Sequence, residues 1–195
     1  RRRGAAAGAA SVDLSDPSTL FSPEFLAGRL SASQLRTRLE AVSKALSVAA
    51  ENEVDLRAGH GPGLEALAEA LVDSRVVKSS DQGLVVTGAL VLAQLLRVYA
   101  PHAPYSSAGE IKTIFTLFHK VLRNHLTADS PLYPRVFALL EELVRTQTYI
   151  LLIEFELHDQ VLKLYRLAFE LAPQLRADQS HIKAYLVSIL TSLVD

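Results

Sequence analysis

The amino-acid sequence predicts an all-α protein, an α-solenoid of stacked antiparallel helix pairs. Three observations carry that expectation. Apolar residues recur at three- and four-residue spacing in one segment after another, the mark of helices with a buried face. No stretch shows the apolar–polar alternation of a half-buried strand. Comparable helix starts near Asp81, Tyr133 and Gln179 lie roughly 45–50 residues apart, which suggests a structural repeat. A non-repetitive helical bundle is the alternative arrangement of the same helices.

Composition narrows the class further. Of 195 residues, 49% are apolar and 21% charged, so the chain can bury a real core. Its 20 basic and 21 acidic residues leave a net charge of −1 and no global basic footprint for nucleic acid, so direct DNA binding is not expected. Cysteine is absent, which removes disulfides, thiolate metal sites and thiol nucleophiles. Methionine is absent even at position 1, as expected for a fragment or a processed chain. The longest apolar run, Leu84 to Ala100, carries Gln94 and Arg97 and is marginal against the roughly 20 residues a membrane span needs. It reads as a buried helix, and no membrane partner is expected.

Along the chain, residues 1–15 hold three arginines followed by alanines and glycines, an unstructured arm or a processing remnant with no face to bury. Residues 16–195 form the repeat segment. Asp16-Pro17-Ser18 opens a short turn through Phe21 to Leu26, with Pro23 tolerated at a helix start. Ser31 and Gln34 fit a capping box. Leu35, Leu39, Val42, Leu46 and Ala49 then form the apolar stripe of a helix that runs to about Glu51. Gly59-His60-Gly61-Pro62-Gly63 reads as a flexible connection. No Lys-Ser/Thr follows it and no strand precedes it, so it is not a phosphate loop. Leu64, Leu67, Ala68, Leu71 and Val72 make the next stripe, ending around Val77.

Ser79-Ser80-Asp81 caps the helix that ends at Tyr99. That helix is apolar almost all round and must be covered on several sides. Ser106-Ser107 restarts a helix whose core positions are Ile111, Ile114, Phe115, Leu117, Phe118, Val121 and Leu122. After a connection over Thr127–Tyr133, Val136, Phe137, Leu139, Leu140, Leu143 and Val144 continue towards Leu151. A break at Phe155-Glu156-Leu157-His158 precedes the apolar positions Val161, Leu162, Leu164, Tyr165, Leu167 and Phe169, and Pro173 ends that helix. A last one runs from about Ser180 to Val194. The repeat spacing approximates the HEAT or armadillo period of roughly 40–47 residues.

Between the third and fourth of these helices stands Ala100-Pro101-His102-Ala103-Pro104-Tyr105. Both prolines lack a backbone donor and push the preceding alanine towards extended geometry, so the chain stops being helical near Tyr99. Two Ala-Pro steps closed by a tyrosine make a stiff shelf. Rigid prolines lose little entropy on binding, and a tyrosine offers apolar area with a hydroxyl. This chemistry is compatible with partner binding, with Tyr105 as the anchor. Residue chemistry alone favours a simpler reading, in which the prolines only end a helix and Tyr105 packs down on its neighbour.

The stretch Leu95-Leu96-Arg97-Val98-Tyr99-Ala100-Pro101-His102-Ala103-Pro104-Tyr105 closely resembles the Ala-Pro-acidic-Ala-Pro-aromatic signature of the precocious-dissociation-of-sisters family, HEAT-repeat regulators of sister-chromatid cohesion. Ile111-Lys112-Thr113-Ile114-Phe115, Phe137 to Leu143, Phe155-Glu156-Leu157 and Lys163 to Phe169 extend the likeness, which covers roughly Ser31 to Asp195. The resemblance implies the N-terminal part of a longer, nuclear, chromatin-associated scaffold. It implies docking of short linear motifs from cohesin regulators, the releasing factor and its antagonists, on Ala100, Pro101, His102, Ala103, Pro104 and Tyr105. The family's kleisin contact is implied mainly beyond residue 195. Two departures stand out: His102 replaces the family's usual acidic residue, and Leu84-Val85-Val86 replaces the Val-Arg pair common in HEAT repeats.

An enzyme or metal site finds little support. His119 and His125 are six residues apart and do not share a helix face, and His158-Asp159 has no third ligand beside it. Glu154 with Glu156, and Glu141 with Glu142, read as solvated helix faces. No nucleophile elbow or phosphate loop occurs. No cofactor or metal is expected. A helical-repeat adaptor for transport or signalling peptides, unrelated to cohesin, is the alternative function; dependence on the Ala-Pro shelf separates the two.

Overall fold

In the computed structural model Leu14, residues 16–176 and residues 179–193 are described. The elements are α1 (Pro17–Leu20), α2 (Ala32–Glu51), α3 (Leu56–Val72), α4 (Ser74–Val77), α5 (Gln82–Tyr99), α6 (Ala108–His125), α7 (Tyr133–Arg145), α8 (Leu151–Glu154), α9 (His158–Leu171) and α10 (Ser180–Thr191). Two 3-10 turns, Thr148–Ile150 and Ala172–Gln174, complete them, and no strand occurs among the described residues. The expected arm over residues 1–15 lies, apart from Leu14, outside the described residues, as does the expected helix end at Val194.

The helices form two layers. Helices α2, α5, α7 and α10 lie side by side in one, and α3, α6 and α9 in the other. Polar contacts between same-layer helices set their direction. Arg36 reaches Asp81, Gln94 donates to Ser47, Arg97 binds Glu142, Arg135 donates to Thr87, and Tyr185 donates to Glu141. In the second layer Arg123 donates to Glu170. Each pair is separated by 44 to 48 residues, so early parts of one helix meet early parts of the next and late parts meet late. Same-layer helices therefore run parallel, and each intervening helix returns in the other layer. This constant offset makes the fold a solenoid of antiparallel pairs rather than a bundle.

Starts and stops follow local chemistry. Ser31 with Gln34, and Ser107 with Glu110, form capping boxes at α2 and α6. Asp81 caps α5 by accepting from the Leu84 backbone N–H. Every residue from Leu84 to Leu96 is buried. Helix α5 is long and apolar enough to cross a membrane, but it is enclosed by α2, α7, α3 and α6. Over its remaining side Arg135 of α7 reaches Glu40 of α2 at 2.7 Å.

Three expectations need correction. Gly59–Gly63 is not a flexible connection. Helix α3 starts at Leu56, capped by Asp55, kinks at His60 and continues through Pro62. Pro62 stands in the first turn after the kink, where its missing donor costs little. Gly63 is required there, because a Cβ would sit 1.4 Å from the Phe21 carbonyl oxygen. The stripe after it stops at Val72, and Asp73 caps the separate turn α4. Helix α7 ends at Arg145 instead of continuing towards Leu151, because Gln147 adopts a left-handed conformation that a helix cannot pass through.

Candidate functional site

Helix α5 delivers the shelf. Its last turn closes at Tyr99, Ala100 turns extended, and the Ala100–Pro101 peptide is cis. The His102 N–H donates to the Tyr99 carbonyl at 3.0 Å, which folds the first Ala-Pro step back over the helix end. Ala100, Pro101 and His102 are exposed, and Ala103 and Pro104 are half-buried.

Tyr105 occupies a different environment. It is 5% exposed, and its hydroxyl donates to the Ala68 carbonyl of α3 at 3.1 Å. Burial drives its pKa upward, with Glu110 and Tyr99 adding to the effect. The expectation that Tyr105 anchors a partner is therefore corrected. The ring and hydroxyl are already spent inside the protein, pinning the end of the shelf to the second layer. Tyr99 is half-buried on the same side, with the Arg57 guanidinium 5.1 Å from its ring centre.

Beside the exposed step lies a groove of about 250 Å³. Leu96, Ala100, Pro101 and His102 form one wall, and Thr146, Gln147, Thr148, Ile150, Leu151 and Glu154 form the other. Thr146 and Thr148 share a short hydroxyl–hydroxyl hydrogen bond, and Thr146 also donates to the Glu142 carbonyl. The left-handed Gln147 makes the turn that brings this second wall opposite the shelf. The groove is apolar at its base and carries one carboxylate, Glu154, which has no ion-pair partner among the described residues.

The end of α5 that carries the shelf is held by charge. Arg97 donates through Nη1 to both Glu142 carboxylate oxygens at 2.7 and 2.9 Å, and through Nη2 to the Leu46 carbonyl at 3.2 Å. One side chain thus joins α2, α5 and α7 directly under the shelf. Of the six candidate residues, Ala100, Pro101 and His102 line the groove; Ala103, Pro104 and Tyr105 do not. The second wall was not legible as a site. Glu154 attracts attention in the sequence only as one of a pair with Glu156, and Thr146-Gln147-Thr148 lies where the apolar pattern of α7 continues.

The histidines lie apart from the groove, apart from His102. His119 is a buried residue of α6, flanked by the Phe115 and Tyr149 rings, and burial pulls its pKa down to about 4, helped by Arg123 and Lys163. His125 is also lowered by burial and lies 3.3 Å from the Ser130 hydroxyl. No three His, Asp or Glu side chains converge on one point among the described residues.

The fold defines a helical-repeat protein, with a groove built from the turns between its helices. The family described as "Sister chromatid cohesion protein PDS5 protein" matches residues 33–195, and the chain belongs to that family. Among its relatives, a Xenopus laevis protein named "Sister chromatid cohesion protein PDS5 homolog B-A" is 30% identical over 129 residues, 66% of this chain and 9% of the relative. The human "Sister chromatid cohesion protein PDS5 homolog B" is 29% identical over the same share of each chain. The Schizosaccharomyces pombe "Sister chromatid cohesion protein pds5" is 25% identical over 130 residues, 66% of this chain and 10% of the relative. The chain thus spans about a tenth of the length of the relatives it matches.

Proposed function

We propose that this chain is a non-enzymatic part of a cohesin-associated scaffold, acting in the nucleus on chromatin in sister-chromatid cohesion. Its role is to dock short linear motifs of cohesin regulators, including the releasing factor and its antagonists. The motif lies in the groove between Ala100-Pro101-His102 and Thr146–Glu154, with Ala103, Pro104 and Tyr105 holding the shelf from behind. The kleisin contact belongs mainly to repeats beyond residue 195, and neither specific DNA nor membrane is a direct partner of this segment.

One observation carries the reading. The exposed half of the shelf faces a peptide-sized groove, while its other half is locked to α3 by the Tyr105–Ala68 hydrogen bond. A pre-formed, proline-stiffened rim pays little ordering entropy on binding. His102 replaces the family's acidic residue, so Glu154 across the groove is the carboxylate available to a basic group of the motif.

The test is capture of partners from nuclear extract by the chain and by Ala100→Glu, both first shown to melt alike. Cohesin regulators retained by the parent and lost by the variant support the reading. Equal capture by both removes the shelf from the mechanism. Capture of transport or signalling proteins in place of cohesin regulators favours a general helical-repeat adaptor.

A further inference from the structure

The outward face of α9 departs from that of its neighbour in the layer. On α6 the exposed positions Lys112, Thr116, Lys120 and Arg123 are polar, as a solvated helix back should be. On α9, Leu162 is 57% and Phe169 is 73% exposed. Both are apolar positions that the sequence pattern assigns to the helix as readily as Leu164 and Leu167. At 3.6 residues per turn they lie half a turn round from the packed positions Leu164, Leu167 and Leu171, and Arg166 falls between them. Phe169 is the most exposed large apolar side chain among the described residues.

The charge around this stripe has one dominant sign. Lys163 and Arg166 flank it on α9, and Lys112, Lys120 and Arg123 line the adjoining back of α6. The two helices meet where Arg123 binds Glu170 at 2.9 Å, so their outer faces form one surface. Asp159 and Glu170 are the carboxylates on the α9 part, and Glu170 is neutralised by Arg123. Lys112, Lys120, Lys163 and Arg166 have no ion-pair partner among the described residues.

We propose that the outer face of α9, with the cationic back of α6, is a second docking surface, for an acidic amphipathic helix of a partner protein. Leu162 and Phe169, about 10 Å apart along the helix, take apolar anchors spaced by two turns. Lys163, Arg166 and Lys120 take the carboxylates beside them. A second copy of the chain fits poorly, because pairing this face with itself opposes like charges. A lipid surface fits poorly too, because the stripe is one side chain wide and Arg166 falls between its two members. The surface shares no residue with the groove at the shelf.

The probe is a fluorescein-labelled, glutamate-rich peptide of about four helical turns with leucines along one face. Its two controls carry lysine for glutamate or serine for leucine. Anisotropy titrations use the whole 195-residue chain. The glutamate–leucine peptide binds, and both controls bind at least about tenfold more weakly. Leu162→Ser and Phe169→Ser each weaken it by about tenfold, at unchanged melting temperature because both sites are exposed, and Pro101→Glu leaves it unchanged. The proposal is overturned if the peptide does not bind, or if the lysine version binds equally. It is also overturned if binding survives Phe169→Ser or is lost in Pro101→Glu. Partition onto phosphatidylserine vesicles, or self-association, abolished by the same serine variants overturns it as well.

Discussion

Helix α5 and the shelf that follows it sit next to each other in the chain and could hardly differ more in surroundings. From Leu84 to Leu96 every side chain is enclosed, with helices on two sides in its own layer, the second layer behind, and the Arg135–Glu40 pair across the front. Four residues past Leu96, Ala100, Pro101 and His102 stand in solvent. The contrast shows how a repeat protein holds an exposed turn still. The most enclosed helix carries the most exposed turn, so the position of the turn is set by packing it takes no part in. Tyr105 then fastens the far end of the turn to α3. Between those two fixed points two Ala-Pro steps have little freedom left.

That division of labour can be broken from either side. The largest effect is expected in the enclosed helix. Leu92→Ala should lower stability by about 2–5 kcal/mol, read by denaturant unfolding, because the side chain is wholly buried and its cavity cannot collapse easily. An unchanged unfolding midpoint would mean that α5 is not the central element.

Next comes the protonation of the core beside it. His119 is held neutral by burial, its pKa about 4 against 6.5 when free. In the window between those values the unfolded chain binds a proton that the folded chain refuses. Stability is therefore full above pH 6.5, falls as pH drops towards 4, and in all loses on the order of 3 kcal/mol. His119→Leu should flatten this part of the pH profile; a profile identical to the parent's would place the loss in other groups.

A smaller change tests the fastening. Tyr105→Phe keeps the ring and removes the donor to Ala68, so thermal melts should report a loss of about 1 kcal/mol. Motif binding should survive it. If binding vanished while the fold held, the hydroxyl would be a partner contact after all.

The smallest effect belongs to the exposed rim. His102→Asp should leave stability within about 0.5 kcal/mol, since nothing packs over it. It should tighten binding of a motif with a basic residue by no more than about fivefold, the range of a solvent-exposed ion pair. Weaker binding would show that the imidazole itself contacts the partner.

The architecture could be read because it rests on local rules. Capping boxes at Ser31 and Ser107, apolar spacing, and a period near 45–50 residues each leave a mark in the sequence. What could not be read depends on contacts between distant segments. The Gly59–Gly63 stretch looks like a linker because glycine and proline usually punctuate. Only the approach of the Phe21 carbonyl to Gly63 shows that the glycine serves packing inside a helix. The shelf was visible as two prolines, but not which half of it faces outward. That depends on Tyr105 finding the Ala68 carbonyl 37 residues earlier. The second wall of the groove was invisible because it follows from one left-handed residue, Gln147, in an otherwise helical pattern. Leu162 and Phe169 fit the apolar rhythm of α9 and still point away from the core.

The most direct test of the central claim is a titration of the isotope-labelled chain with a synthetic motif peptide from the cohesin-releasing factor, followed by backbone amide shifts. Docking in the groove predicts shifts concentrated at Ala100, His102, Thr146, Gln147, Thr148, Ile150 and Glu154, with Leu162 and Phe169 unmoved. Saturable shifts gathered elsewhere, for example in the apolar groove of about 430 Å³ between Leu20, Val48 and Leu56, would contradict the claim. So would a peptide that leaves the spectrum unchanged.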